Sequence, residues 1–189
     1  LDSHTLKRGY FTQGAADGCW HGCSMACAKA VDGFLLRTGP YAGQRVCVDG
    51  PEYETAAGAA NMGCFDSDFC VELNFYCDTY GLDTISVATC MAFVMEAFEA
   101  GVIDETRTGG LKLNFGAAAE VLECLHQMAR GEGFGVDVGQ GIRWLKRKWA
   151  AEYGADVAFL RDIGMEAKGL EYSEYVSKES LAQQAGYTL

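Results

Sequence analysis

Proline is scarce in this chain of 189 residues, with Pro40 and Pro51 the only two, and basic residues are outnumbered, fifteen Lys and Arg against twenty-six Asp and Glu. With so few basic residues, Lys146-Arg147-Lys148 is the one cationic cluster, and nucleic acid is excluded as the main partner. No apolar run approaches the roughly eighteen residues that span a bilayer, so no membrane segment is expected. The opening residues, LDSHTLKRGYF, lack the basic start and apolar core of a signal peptide. The expectation is a soluble, acidic, cytoplasmic protein. An apolar share of 49 % with 22 % charged residues is enough to bury a core without disulfides. The start at Leu1 and the end at Gly-Tyr-Thr-Leu suggest a piece of something longer.

Cysteine and glycine, by contrast, are plentiful: nine and twenty-four. An odd cysteine count in a chain of this length argues against a secreted disulfide framework. Cys47, Cys64, Cys70, Cys90 and Cys124 read as reduced, buried cysteines packing as small apolar side chains. Cys19, Cys23 and Cys27 form a separate trio in Cys-Trp-His-Gly-Cys-Ser-Met-Ala-Cys. Three thiols within nine residues converge on one soft metal, an iron–sulfur cluster or a zinc completed by His21, unless all three are merely structural.

Residues 24–31 suggest a short helix, and Gly33, Gly39, Gly43 and Gly50 punctuate a loop or small hairpin around Gln44–Val48. From Glu52 the pattern turns helical. Asp66 caps a helix that stops at Gly81, and Asp83-Thr84 opens a second, apolar nearly all round and therefore buried, that runs to Gly101. A third helix spans 115–130 and a fourth 139–153. The tail after Gly154 is less regular, with a short helix over 178–186. The fold class is mainly α, a compact multi-helix domain with an irregular Cys-rich N-terminal loop. Residues 1–50 read as the cysteine-cluster segment and loop, and 51–189 as the helical region.

Two further motifs carry chemistry. Gly50-Pro51-Glu52-Tyr53-Glu54-Thr55 places two carboxylates at a helix start, where exposed N–H groups favour negative charge; alternatively one is a general acid or base. Asp78-Thr79-Tyr80-Gly81-Leu82-Asp83-Thr84-Ile85-Ser86 reads as a capped helix–helix corner, or as a corner that presents carboxylates to a ligand rich in N–H donors.

Taken together, the cysteine trio, Gly-Pro-Glu-Tyr-Glu-Thr, Asp-x-x-Gly-Leu-Asp-Thr-Ile-Ser, Met91-Ala92-Phe93-Val94-Met95-Glu96 and Arg130-Gly131-Glu132-Gly133-Phe134-Gly135 resemble the aldehyde:ferredoxin oxidoreductase family of tungsten-pterin enzymes. The resemblance runs from about Gly18 to about Tyr187 and implies the front of the family's helical half. It implies that Cys19, Cys23 and Cys27 are three of four ligands of a [4Fe–4S] cluster. Asp78, Gly81, Leu82 and Asp83 then form one of two pterin-binding corners of a tungsten (or molybdenum) bis-pterin site, and Glu54 transfers the proton. The implied reaction oxidises a small aldehyde to a carboxylic acid and passes electrons through the cluster to a ferredoxin-like acceptor. The implied partners are the rest of the enzyme, an N-terminal pterin domain and a C-terminal segment, and a second copy in a homo-oligomer.

The sequence also departs from that family. Three residues, not two, separate Cys19 from Cys23. Where some members carry Glu-x-x-His motifs that bridge subunits through iron, this chain reads Glu72-Leu73-Asn74-Phe75 and Glu120-Val121-Leu122-Glu123. No bridging metal is therefore expected, and His126 reads as a helix-surface histidine. A second Asp-x-x-Gly-Leu corner and the fourth cluster cysteine have no counterpart, and Cys90 or Cys124 could substitute for that ligand only in a different fold. The rival expectations are a non-catalytic helical cluster-binding or interaction module and, more remotely, a structural zinc protein.

Overall fold

The computed structural model describes residues 9, 22, 24, 29–174 and 180–188. Cys19, Cys23, Cys27 and His21, and most of the helix expected over 24–31, lie outside them. Ala30 and Val31, at the end of that expected helix, are instead strand residues.

Strand β1 (Ala30–Leu35) pairs antiparallel with β2 (Arg45–Asp49). Val31 sits opposite Val48 and Phe34 opposite Val46, with a register shift between them at Gly33, whose φ of 70° suits glycine. Pairing overrides the helix propensity of the alanines, because Val31, Phe34 and Val48 bury one face of the ribbon. Cys47 points to the other face and is exposed, contrary to its reading as a core cysteine; alternation along the strand puts it there.

Helix α1 (Tyr53–Asn61) follows, then α2 (Ser67–Tyr80) and α3 (Thr84–Glu99). Asp66 and Asp83 cap α2 and α3 by accepting from the Asp68 and Ile85 N–H groups at 3.0 and 2.9 Å. Helix α3 is buried from Val87 to Met95, as its uniform apolarity requires. Residues 58 and 88 fix how α1 lies on α3, since a Cβ at Gly58 would collide with the Ala88 methyl.

Helices α4 (Ala118–Arg130), α5 (Gly135–Val138) and α6 (Ile142–Tyr153) complete the core, where Trp149 stacks on Phe93 at 5.2 Å between ring centres. The tail is more regular than its composition suggests. Asp156 caps α7 (Val157–Ile163), and a tight hairpin of β3 (Glu166–Ala167) and β4 (Leu170–Glu171) precedes α8 (Leu181–Thr188). One hydrophobic cluster runs from the β1–β2 ribbon through α2 and α3 to α6 and α7. Among the described residues no single helix is long and apolar enough to cross a membrane.

Candidate functional site

The corner between α2 and α3 is built by two local signals. Gly81 adopts φ 68°, ψ 34°, and the Gly81 and Leu82 N–H groups donate to the Asp78 and Cys77 carbonyls at 3.2 and 2.8 Å, closing α2. Asp83 then opens α3 in a new direction, 118° away. Asp78 and Asp83 are left exposed on either side of the turn, and open space surrounds the Gly81 Cα.

Asn74, which sequence reasoning passed over, positions this corner against the helix that carries Glu54. Its amide donates to the Asp49 carbonyl at 2.5 Å and to Asp78 Oδ2 at 2.9 Å, and its oxygen accepts from Thr55 Oγ1 at 2.6 Å. One buried side chain thereby ties β2, the first turn of α1 and the α2–α3 corner together. Glu52 is the N-cap residue of α1 and makes no side-chain cap bond; Glu54 lies half-buried in the first turn.

The carboxylates on this face repel each other. Burial raises the Asp78 pKa, and the charges of Asp49 and Glu54 add to it. Glu52 is raised by burial and by Glu54 and Asp49, against the opposing pull of Lys29. Glu174, brought in from the tail, is raised by burial and by Glu54 and Asp83. Glu54 is the common neighbour of all three. Glu52 is drawn toward Lys29, whereas Glu54 acts on both the corner and Glu174.

A cleft of about 240 Å³ opens beside the corner, lined by Leu82, Asp83, Ser86, Cys90, Gln140 and Glu171 among others. Its polar rim and the exposed Asp83 carboxylate suit a flat heterocycle with N–H donors, so the lining is compatible with a pterin. A metal site is another matter: no group of three or more His, Cys, Asp or Glu that could hold a metal ion occurs among the described residues. Cys64, Cys70, Cys77, Cys90 and Cys124 are buried. Burial pushes the Cys64 thiol up to about 11 and those of Cys70, Cys77 and Cys124 to about 12. Cys90 is pushed well above the usual value for the same reason. They are protonated core side chains, and Cys90 and Cys124 are ill suited to bind iron here.

His126 is not a surface residue but is 2 % exposed. The loop joining β1 to β2 covers α4 at this point, which α4's own periodicity does not reveal. Thr38 Oγ1 donates to Glu72 Oε1 at 2.8 Å, so it accepts from His126 Nε2 at 3.1 Å, and Nδ1 accepts from Tyr80 at 2.9 Å. Burial, reinforced by Arg130, lowers the His126 pKa despite Glu123 and Glu72, in keeping with a neutral ring. Glu72 is completely buried, and it accepts from the Arg37 and Thr38 N–H groups at 2.9 and 2.7 Å and from Arg37 Nε at 3.3 Å. Glu72 and His126 thus meet through Thr38, fifty-four positions apart in sequence.

Comparison with known proteins adds the family. Residues 1–189 match the family described as aldehyde ferredoxin oxidoreductase, domains 2 & 3. A tungsten-containing aldehyde ferredoxin oxidoreductase of Pyrococcus horikoshii is 34 % identical over 137 residues, 70 % of this chain and 20 % of that protein. Its counterpart in Pyrococcus abyssi is 38 % identical over 110 residues, 56 % of this chain and 18 % of that protein. An aliphatic sulfonate oxidoreductase, WOR-like subunit, of Pyrococcus furiosus is 28 % identical over 177 residues, 89 % of this chain and 27 % of that protein. The chain therefore spans between 18 % and 27 % of the length of these curated relatives. With the whole chain matched and its helical corner, capped helices and acidic face in place, the protein belongs to the aldehyde ferredoxin oxidoreductase family.

Proposed function

We propose that this chain forms the cofactor-facing helical part of a tungsten- or molybdenum-pterin, iron–sulfur enzyme that oxidises aldehydes to carboxylic acids. The reading rests above all on Glu54 lying close enough to both Asp78 and Glu174 for its charge to add to the rise in their pKa values. Asp78 and Asp83 would accept from pterin N–H groups, Gly81 would let the ring approach the backbone, and Leu82 would pack against it. Cys19, Cys23 and Cys27 would supply three cluster thiolates, with the fourth ligand coming from elsewhere in the enzyme.

When bound, the metal–pterin centre would supply a two-electron acceptor, and a cluster held by Cys19, Cys23 and Cys27 would supply a one-electron path towards a ferredoxin-like protein. Aldehyde plus water yields carboxylic acid, two protons and two electrons. Glu54 takes a proton from the attacking water or hydrate hydroxyl. The acidic face also argues for an aldehyde over a sulfonate, whose anionic group would meet Glu54, Asp83 and Glu174 together.

Metal and acid-labile sulfide analysis of anaerobically purified holoenzyme tests this. About four irons and one tungsten or molybdenum per enzyme chain are expected. Glu54→Gln should keep both metals while kcat falls about a hundredfold or more. Loss of tungsten in that variant, or no iron in the wild type, would defeat the proposal.

A further inference from the structure

Tyr80 is the last residue of α2, immediately before Gly81 of the corner, and its hydroxyl reaches the buried ring of His126. The direction of that hydrogen bond is fixed from the far side of the ring. Thr38 Oγ1 donates its proton to Glu72 Oε1, so Nε2 carries the imidazole proton and Nδ1 is left as an acceptor 2.9 Å from the Tyr80 oxygen. Gly39, at φ 67°, covers the same ring, since a Cβ there would collide with His126 and with the Tyr76 hydroxyl. From this pair a line of rings runs outward. The Tyr80 and Tyr76 rings stack with centres 5.3 Å apart, Tyr76 and Tyr41 stack at 6.4 Å, and Tyr41 is 38 % exposed. Tyr76 is completely buried and donates its hydroxyl proton to the Thr38 carbonyl.

A phenol gives up an electron readily only when its proton leaves with it, because the radical cation that would otherwise form is a strong acid. Tyr76 faces an amide carbonyl, too weak a base to take that proton, whereas Tyr80 faces an imidazole lone pair. Burial pushes the Tyr80 phenol up to about 12 and the His126 pKa down, so the resting pair is neutral and the proton moves only with the electron. The imidazolium then formed gains from the charges of Glu123 and Glu72, against Arg130. We propose that Tyr80 and His126 form a one-electron redox site, with the Tyr76 and Tyr41 rings as its electron path to the surface. Its oxidant is an oxygen-centred radical arising at the corner. Hydroxyl radical takes one electron from Tyr80 and becomes hydroxide, while the phenol proton passes to His126 Nδ1. A thiol at Tyr41 returns one electron and is left as a thiyl radical and a proton, and the His126 proton goes back to the Tyr80 oxygen. The net change is hydroxyl radical plus thiol to water plus thiyl radical. This inference rests on the proposed function only for the source of the oxidant.

Flash oxidation of the oxidised holoenzyme by a ruthenium(III) polypyridyl complex in solution, read by high-field EPR, tests the site without turnover. The expected product is a neutral phenoxyl radical whose g-tensor is shifted by a charged hydrogen-bond donor and which couples to isotope-labelled histidine nitrogen. Tyr80→Phe removes one hydroxyl and should abolish that signal, leaving radicals of exposed tyrosines without histidine coupling. Tyr41→Leu should lose most of the yield by cutting the path at its exposed end. No histidine-coupled radical in the wild type, the same radical in Tyr80→Phe, or an undiminished yield in Tyr41→Leu would overturn the proposal. The first of these is read in the unaltered protein, so it decides the matter even where a variant fails to fold. Because the oxidant is added, a histidine-coupled radical in enzyme lacking iron and tungsten keeps this inference and defeats the proposed function alone.

Discussion

Glu72 and Glu174 are both carboxylates brought into the interior by long-range contacts, and they are treated in opposite ways. Glu72 receives two backbone N–H groups, a hydroxyl and a guanidinium, so that every lone pair facing the protein has a donor. Glu174 receives the Thr89 hydroxyl and its own backbone N–H, has no hydrogen-bond partner at Oε2 among the described residues, and meets like charge from two neighbours. The first arrangement locks the β1–β2 loop onto α2 and α4. The second leaves bonding capacity over, at the edge of the face where the chemistry is proposed. Full satisfaction holds elements together, whereas a buried acceptor without a donor costs stability.

The largest effect should come from breaking the satisfied side. Glu72→Ala orphans the Arg37 and Thr38 N–H groups at once and is expected to cost about 4 kcal/mol, read from the urea midpoint at constant m-value. A loss under about 1 kcal/mol would mean that water replaces the carboxylate and that the knot is solvent-accessible after all.

His126→Phe is the next step down, because the ring volume is kept while two hydrogen bonds are lost. About 2 kcal/mol is expected, and the Glu72/His126 double-mutant cycle should show coupling of about 0.5 kcal/mol or more through Thr38. Strict additivity would separate the two residues into independent sites.

The smallest effect sharpens the other side of the comparison. Glu52, Asp78 and Glu174 have raised pKa values in the fold, so the stability they contribute is full below their ordinary values of 4.5, 3.8 and 4.5 and is lost as pH rises through the raised ones. Glu166 behaves oppositely. Burial pushes it up, but Lys146, the Gly169 N–H and Arg143 outweigh burial and hold it below 4.5, so its contribution is lost only on stronger acidification. The melting temperature should therefore rise slightly from pH 7 toward pH 5 and fall below about pH 4. Glu174→Gln should flatten the rise, and an unaltered rise would take Glu174 out of the repelling set.

What the sequence revealed was mostly local. Asp66, Asp83, Gly81 and Gly131 mark helix ends through bonds that span four residues or fewer, and those boundaries are legible by eye. The Asp78–Gly81–Asp83 corner belongs to the same class. Helix α7 carried the same kind of signal in Asp156 and Gly164, but seven residues are too few to establish a period. The burial of His126 was hidden because it depends on a loop eighty-eight positions away in sequence, at Thr38. Asn74 and Glu174 were hidden for the same reason: their partners Asp49 and Thr89 lie twenty-five and eighty-five positions away. Cys47 was misplaced because a five-residue strand offers little alternation to read.

Helix α1 carries Glu54 at its first turn, while α3 begins at Asp83 and carries Thr89. The distance between these groups is set where Gly58 meets Ala88, at a contact that leaves no room for one more carbon. That vacant position acts as a gauge block between two rods. It converts the thickness of a hydrogen atom into the separation of Glu54 from Thr89, and it does so on rigid helices, where thermal motion blurs the setting least.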